Sequence, residues 1–225
     1  MTGQLPLGIR LDAGASFESF VPADDGAALD AVRRAALGGG FVYLWGEPGS
    51  GRSHLLQAAV RAADAAGRRA AYLPLASLAP AALDGLEALD FAALDDLDAL
   101  PREHAWERAL FIAYEALRGV GAGIVIAGRI APAGLPLALA DLRSRLQSAA
   151  VYHLGALDDA GKQQVLVRRA RARGLELPEE TGQYLLTRYA RDMHALCRML
   201  DELDLASLAA QRRLTIPFVK AVLGA

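Results

Sequence analysis

One cysteine, Cys197, stands in 225 residues, and alone it can neither close an internal disulfide nor build a cysteine-based zinc site. Lysine is nearly as scarce, with only Lys162 and Lys220. The formal net charge is −2 and the sequence pI is near 6.1. The chain as a whole therefore lacks the positive field that non-specific nucleic-acid binding draws on, so any such contact has to be local. Long apolar runs are missing too. The most apolar stretch, 70–83, is interrupted by Pro74 and Pro80 and falls short of the roughly 20 residues that cross a bilayer. The first residues, MTGQLPLGIRL, have no secretory apolar core. These absences argue against a disulfide scaffold, a membrane protein and a general nucleic-acid binder, and they point to the cytoplasm.

What is present is a chain that is 53% apolar, enough for one sizeable core or for an α/β domain with a small helical appendage. Residues 1–25, rich in Gly, Pro, Asp and Ser, read as an extended arm. From there to 157 the pattern alternates. A helix over 26–37 gives way at Gly38, Gly39 and Gly40 to the apolar run 41–45, then a glycine loop, then a helix over 53–66. Further strands are expected at 70–75, 91–94, 123–127 and 151–154. Between the third and fourth, Trp106, Ala109, Leu110, Ala113 and Leu117 share one helical face, with Trp106 and Tyr114 as core residues. Short all-apolar strands suit a parallel sheet covered on both faces, so the class is α/β. From 158 to 225 the character is helical only: 158–173, 178–191, 192–211 and a short helix after Thr215. Pro178 marks one start and Gly174 the preceding end. The expected plan is an arm (1–25), an α/β body (26–157) and a helical lid (158–225).

The glycine loop reads Gly46-Glu47-Pro48-Gly49-Ser50-Gly51-Arg52-Ser53. It fits the spacing of a phosphate-binding P-loop except that arginine stands where lysine is usual. Such a loop needs glycines that let successive backbone N–H groups turn toward phosphate, a helix N-terminus, and a hydroxyl for Mg²⁺. An ordinary strand-to-helix turn is the plain alternative, and the flanking strand and helix weigh against it. Arginine keeps the charge but is bulkier and forked, so it suits a diphosphate better than the placing of a γ-phosphate. Gly46, Gly49, Ser50, Gly51, Arg52, Ser53 and His54 are thus candidate nucleotide contacts, and binding is better supported than hydrolysis. Leu94-Asp95-Asp96 closes the third strand. Asp95 could join Ser53 at Mg²⁺ and Asp96 could lie near an attacking water, or these acids could simply end a strand in solvent together with Asp98.

The segments YLWGEPGSGRSHLLQA, LDDLDAL, LRSRL, RGLELPEETGQYLL and AQRRLTIPFVK resemble the AAA+ core of the bacterial replication initiator DnaA. They resemble more closely the short Hda regulators of that family, which lack DnaA's C-terminal DNA-binding domain. The resemblance runs nearly end to end and extends to the P-loop arginine, an N-terminal Q-L-x-L and the TIPFVK ending. It implies a five-stranded AAA+ sheet with a helical lid, a bound ADP (or ATP) with Mg²⁺, and two protein partners, DnaA and the DNA polymerase III sliding clamp, with a homo-oligomer possible. Carried over by position, Gln4, Leu5 and Leu7 form the clamp-binding peptide. Arg145 is the arginine finger that reaches a neighbour's nucleotide; read alone, Arg143 and Arg145 are exposed charges on a short helix. The implied activity is stimulation of DnaA's ATP hydrolysis, with little or no hydrolysis by the chain itself.

Several positions depart from that pattern. Arg129 stands where relatives place a polar or acidic sensor. His194, read alone an ordinary surface or packed histidine, takes the place of the lid's sensor arginine, and Arg191 is the nearest substitute. Gly8 follows the clamp motif where an aromatic is common. Sequence-specific duplex binding is not expected, because little chain follows Lys220. An autonomous P-loop kinase or ATPase would want the lysine and intact sensors. A helicase loader would want a basic face for single strands, and no clear patch is present.

Overall fold

The alternating apolar runs become five short strands: β1 (Gly40–Trp45), β2 (Ala70–Pro74), β3 (Phe91–Asp95), β4 (Gly123–Gly128) and β5 (Ala150–His153). In the computed structural model, which describes residues 11–224 apart from Ala13, Arg102, Ala190 and Arg191, they form one parallel sheet in the order β2-β3-β4-β1-β5. Parallel neighbours need crossover connections. These are supplied by α2 (Arg52–Ala65) and α3 (His104–Gly119), with α1 (Ala27–Gly38) ahead of the sheet and α4 (Ala140–Gln147) before β5. The class expected from the alternation is the one observed.

Side chains alternate across the pleat, so each strand feeds both layers. Tyr43, Leu94, Ile124 and Ile126 pack with Trp106, Leu110, Tyr114 and Leu117 of α3 and with Leu142 and Leu146 of α4. Each fully buried side chain of this size contributes about 1.5–3 kcal/mol. The helices α1 and α2 pack on each other and on the sheet through small residues, among them Ala31, Ala35, Ala36, Ala58, Ala59 and Ala63. Small residues allow a close approach, and Gly123 shows how close. A Cβ there would lie 2.0 Å from the Ala35 carbonyl oxygen, a backbone atom that cannot rotate away. Gly123→Ala should therefore destabilise the protein by about 3 kcal/mol, measured as a lower urea midpoint at unchanged slope.

Two segments differ from the sequence expectation. Between β2 and β3 no α-helix forms; three 3₁₀ turns, Leu75–Ser77, Pro80–Leu83 and Leu86–Ala88, make the crossover and bury Leu75, Leu83 and Leu86. Pro80 lacks an N–H and Gly85 sits at φ +78°, so no helical run can continue through them. The stretch before α1 is also more than an arm from residue 14 on, since Ala15, Phe17, Phe20 and Val21 are buried.

The described chain forms two compact units. The first runs to Phe17 and resumes at Asp24–Gly155; the second joins Glu18–Ala23 to the chain from Ala156. The second unit contains α5 (Asp159–Ala172), α6 (Glu179–Arg188), α7 (Met193–Ala210) and α8 (Ile216–Leu223). Leu166, Leu185, Leu196, Leu200, Leu203, Leu214 and Phe218 form its core. Side chains of Asp158, Asp192 and Thr215 cap α5, α7 and α8 by accepting from Gly161, Ala195 and Phe218 amides, each worth about 1 kcal/mol. Arg168 ties the incoming segment down by donating to the carbonyls of Glu18 (3.1 Å) and Phe20 (2.8 Å). Helix α6 closes at Arg188, sooner than its composition suggested, with Tyr189 extended. No helix among the described residues is long and apolar enough to cross a membrane.

Candidate functional site

Strand order brings β4 between β1, which leads into the glycine loop, and β3, which ends in acids. Ligands of open parallel sheets bind beyond the carboxyl ends of the strands. There the loop leaves β1 with the Gly46 N–H donating to the Gly128 carbonyl at 3.3 Å. A Cβ on Gly46 would sit 2.4 Å from the Leu154 carbonyl oxygen, so only glycine fits. The Ser50 N–H closes a turn on the Glu47 carbonyl at 3.1 Å. Gly49 and Gly51 lie at φ +85° and +91°, a region glycine enters at no steric cost. Gly51 is the N-cap of α2 and offers no side chain. The first amides of that helix therefore have no intrahelical acceptor and carry the positive end of its dipole.

Two side chains here are buried without satisfying all their polar atoms. Arg52 is 7% exposed and Ser50 8%, and among the described residues Arg52 Nη1 and Ser50 Oγ find no hydrogen-bond partner. Buried polar atoms are normally satisfied, and an unpaired buried guanidinium nitrogen is costly. A phosphate against the uncapped α2 N-terminus would satisfy both. The residues present thus fit the diphosphate that the sequence implied. Ser53, in the first turn of α2, is exposed, with its side chain in hydrogen-bond reach of the Tyr72 hydroxyl. His54 instead turns Nε2 to the Ser16 carbonyl oxygen at 3.2 Å, so its side chain braces the chain segment ahead of α1.

Beyond β3, Asp95 is fully buried. Its Oδ1 accepts the Asp96 N–H at 2.9 Å and its Oδ2 accepts the Tyr72 hydroxyl at 2.7 Å. Burial, and then the Asp95 charge, push the Tyr72 phenol above its ordinary range. Asp96 adopts φ +56°, and partial burial followed by the Asp95 charge raises its carboxyl, with Arg52 and Arg129 pulling the other way. Asp98 accepts the Arg129 N–H at 2.6 Å, and its second oxygen lies 3.6 Å from Arg129 Nε. A Cβ on Gly128 would come within 2.9 Å of Asp98 Oδ1 and 2.8 Å of the Tyr43 hydroxyl. Asp95, Asp96 and Asp98 are therefore one electrostatic cluster with Arg52 and Arg129, and not acids trailing into solvent.

Among the described residues no group of three His, Cys, Asp or Glu side chains is placed to hold a metal. Mg²⁺ keeps several waters and phosphate oxygens and takes only one or two protein donors. The Ser53 hydroxyl and Asp95 are donors of that kind.

Arg145 stands apart from this cluster: its Nε pairs with Glu115 of α3 at 2.7 Å, both side chains 39% exposed. Arg143 donates to the Leu137 carbonyl. His194 lies exposed near the start of α7, in the second unit. Gln4, Leu5, Leu7 and Arg191 fall outside the described residues. Tyr72, Glu107 and Glu115 went unread in the sequence, and only the β2 and β3 register and the facing of α3 and α4 reveal them.

Residues 159–223 match the family model described as Hda, lid domain. Domain III of the Thermotoga maritima replication initiation protein DnaA is similar in fold, with a TM-score of 0.80 at 21% identity over 96% of this chain and 98% of that one. The chain has the AAA+ fold of DnaA domain III, and its residues 159–223 are similar to an Hda lid domain. AMPPCP-bound DnaA from Aquifex aeolicus has a TM-score of 0.67 at 21% identity, over 85% of this chain and 66% of that one. The Thermotoga maritima RuvB Holliday junction branch migration motor has 0.58 at 18% identity, over 88% and 65%. At these identities the likenesses concern the fold. In this chain the end of β4 carries Arg129 already bound to Asp98, so the sensor departure read from the sequence comes with a partner of its own.

Proposed function

We propose that this DnaA-related AAA+ protein is a nucleotide-loaded cytoplasmic regulator that inactivates DnaA by stimulating its ATP hydrolysis, while tethered to the DNA sliding clamp. The observation that carries the reading is the Hda lid match over residues 159–223, which follows a P-loop whose buried Arg52 leaves Nη1 without an acceptor among the described residues. ADP would be held by the backbone amides of 49–53 with Arg52 on its phosphates, and Mg²⁺ by Ser53 and Asp95, neutralising diphosphate charge. ADP is favoured over ATP because Arg52 is a fork where a compact ammonium usually meets the γ-phosphate, and because Arg129 is engaged by Asp98. His194 and Arg191 are the lid's candidate nucleotide contacts, and Asp96 the candidate group beside a water. Arg145 acts on the partner's nucleotide by stabilising charge on the transferring phosphoryl group.

The N-terminal residues Gln4, Leu5 and Leu7 supply the tether. Joining two weak contacts through a short linker raises their effective concentration to the millimolar range without any new contact. The test is DnaA ATP hydrolysis with clamp-loaded DNA. Wild-type protein should accelerate it, and Gln4→Ala or Leu7→Ala should lose at least about 10² of that gain together with clamp pull-down, while ADP binding stays unchanged. No acceleration by the wild type would overturn the regulator reading; undiminished clamp capture by the arm variants would overturn the tether.

A further inference from the structure

Tyr72 stands opposite Ala93 in the β2 and β3 ladder, two residues before the level of Asp95. Positions two apart on a strand share a face, so Tyr72 and Asp95 are diagonal neighbours within reach of a long side chain. The phenol donates to Asp95 Oδ2 at 2.7 Å while the Asp96 amide holds the other oxygen. The carboxylate is thus fixed at both atoms. Ser53 and Gln57, one turn apart on α2, also lie within polar reach of the Tyr72 hydroxyl. Gln57 Oε1 accepts the Asp12 N–H at 2.7 Å, which leaves its amide hydrogens as the group that can meet the phenol oxygen.

The phenol therefore contacts both the hydroxyl and the acid that would flank a divalent cation. We propose that Tyr72 is a positioning residue for the cation half of the nucleotide site: it holds Asp95 in place and shares its hydroxyl with Ser53 and Gln57. This rests on the reading of Ser53 and Asp95 as the Mg²⁺ side of a nucleotide site. Hydrogen-bond partners that orient a metal-binding acid typically change metal affinity by 10–100-fold when removed. Tyr72→Phe deletes only the hydroxyl, so the ring, its packing and the phosphate loop remain.

A purely structural phenol and a positioning one differ in what they do to Mg²⁺. Fluorescent ADP is titrated into wild type and Tyr72→Phe in EDTA and across a Mg²⁺ series, with a thermal melt of each as the check on folding. The expected result is an EDTA affinity within about 2-fold of wild type and a Mg²⁺ midpoint raised by about 10-fold. An identical Mg²⁺ midpoint overturns the proposal, as does an equal loss of affinity in EDTA and in Mg²⁺. If Tyr72→Phe melts too early to titrate, Gln57→Ala removes a neighbour of the same hydroxyl and should shift the midpoint in the same direction by a smaller factor; no shift overturns the proposal. Wild-type ADP binding that ignores Mg²⁺ would instead overturn the underlying metal reading, and this one with it.

Discussion

Arg145→Ala should remove most of the stimulation of DnaA ATP hydrolysis, by about 10³-fold, and leave folding, ADP binding and clamp capture as they are. The stability half follows from exposure. Arg145 and its partner Glu115 are each 39% exposed, and surface pairs of this kind contribute about 0–1 kcal/mol. Helix α4 does not depend on that pair. Leu142 and Leu146 are fully buried, and the buried Glu107 carboxylate of α3 accepts the Ala138 and Leu139 amides at 3.0 and 2.6 Å, just ahead of the helix. The backbone that carries Arg145 is therefore held while its guanidinium stays reachable. The activity half follows from electrostatics, because a cation that meets charge developing on a phosphoryl group is worth far more there than in the resting protein. Arg143 donates to a carbonyl of its own chain, so Arg143→Ala is the control and should keep stimulation within about 3-fold of wild type, far below the change a finger makes. Full stimulation by Arg145→Ala would remove the finger assignment.

Local spacing alone made the phosphate loop legible. Gly46, Gly49 and Gly51 are needed for backbone reasons that act within a few residues, and the fold gives each a positive φ or a carbonyl pressed against it. The strands and the four helices of the second unit were legible for the same reason, because period and caps are local. Contacts set by tertiary register were not. Tyr72 reads as one more apolar strand residue until β2 is laid beside β3, and Glu107 and Glu115 read as solvated helix charges until α4 is packed on α3. Asp98 was read as a strand end because nothing local says that Arg129, 31 residues later, returns to it. The segment 14–23 looked like an arm because it has no period; what orders Phe20 is Arg168, 148 positions away.

Arg52→Ala should separate the empty protein from the loaded one. In wild type the guanidinium is buried with Nη1 unpartnered, so on the proposed reading the empty state carries a desolvated nitrogen that a phosphate of ADP would satisfy. The cost of that burial is offset by the attraction between Arg52 and the neighbouring Asp96, so the variant without nucleotide should melt within a few degrees of wild type. The loaded state should behave differently. At ADP equal to 100 times its dissociation constant, wild type gains about 2.7 kcal/mol, roughly 5–10 °C for a chain of this size. Losing a charge-assisted contact to phosphate costs on the order of 2–3 kcal/mol, about 10²-fold in affinity, so at the same concentration the gain falls to about 0.4 kcal/mol. Arg52 also restrains the Asp96 carboxyl, which is raised by burial and by Asp95; without the arginine it should rise further. Arg52→Lys restores a cation without the fork and should recover most of the ADP shift, which separates lost charge from a damaged loop. Melting curves with and without ADP decide the matter: an Arg52→Ala protein that ADP stabilises as much as it does wild type would show that the phosphates do not lie against this guanidinium.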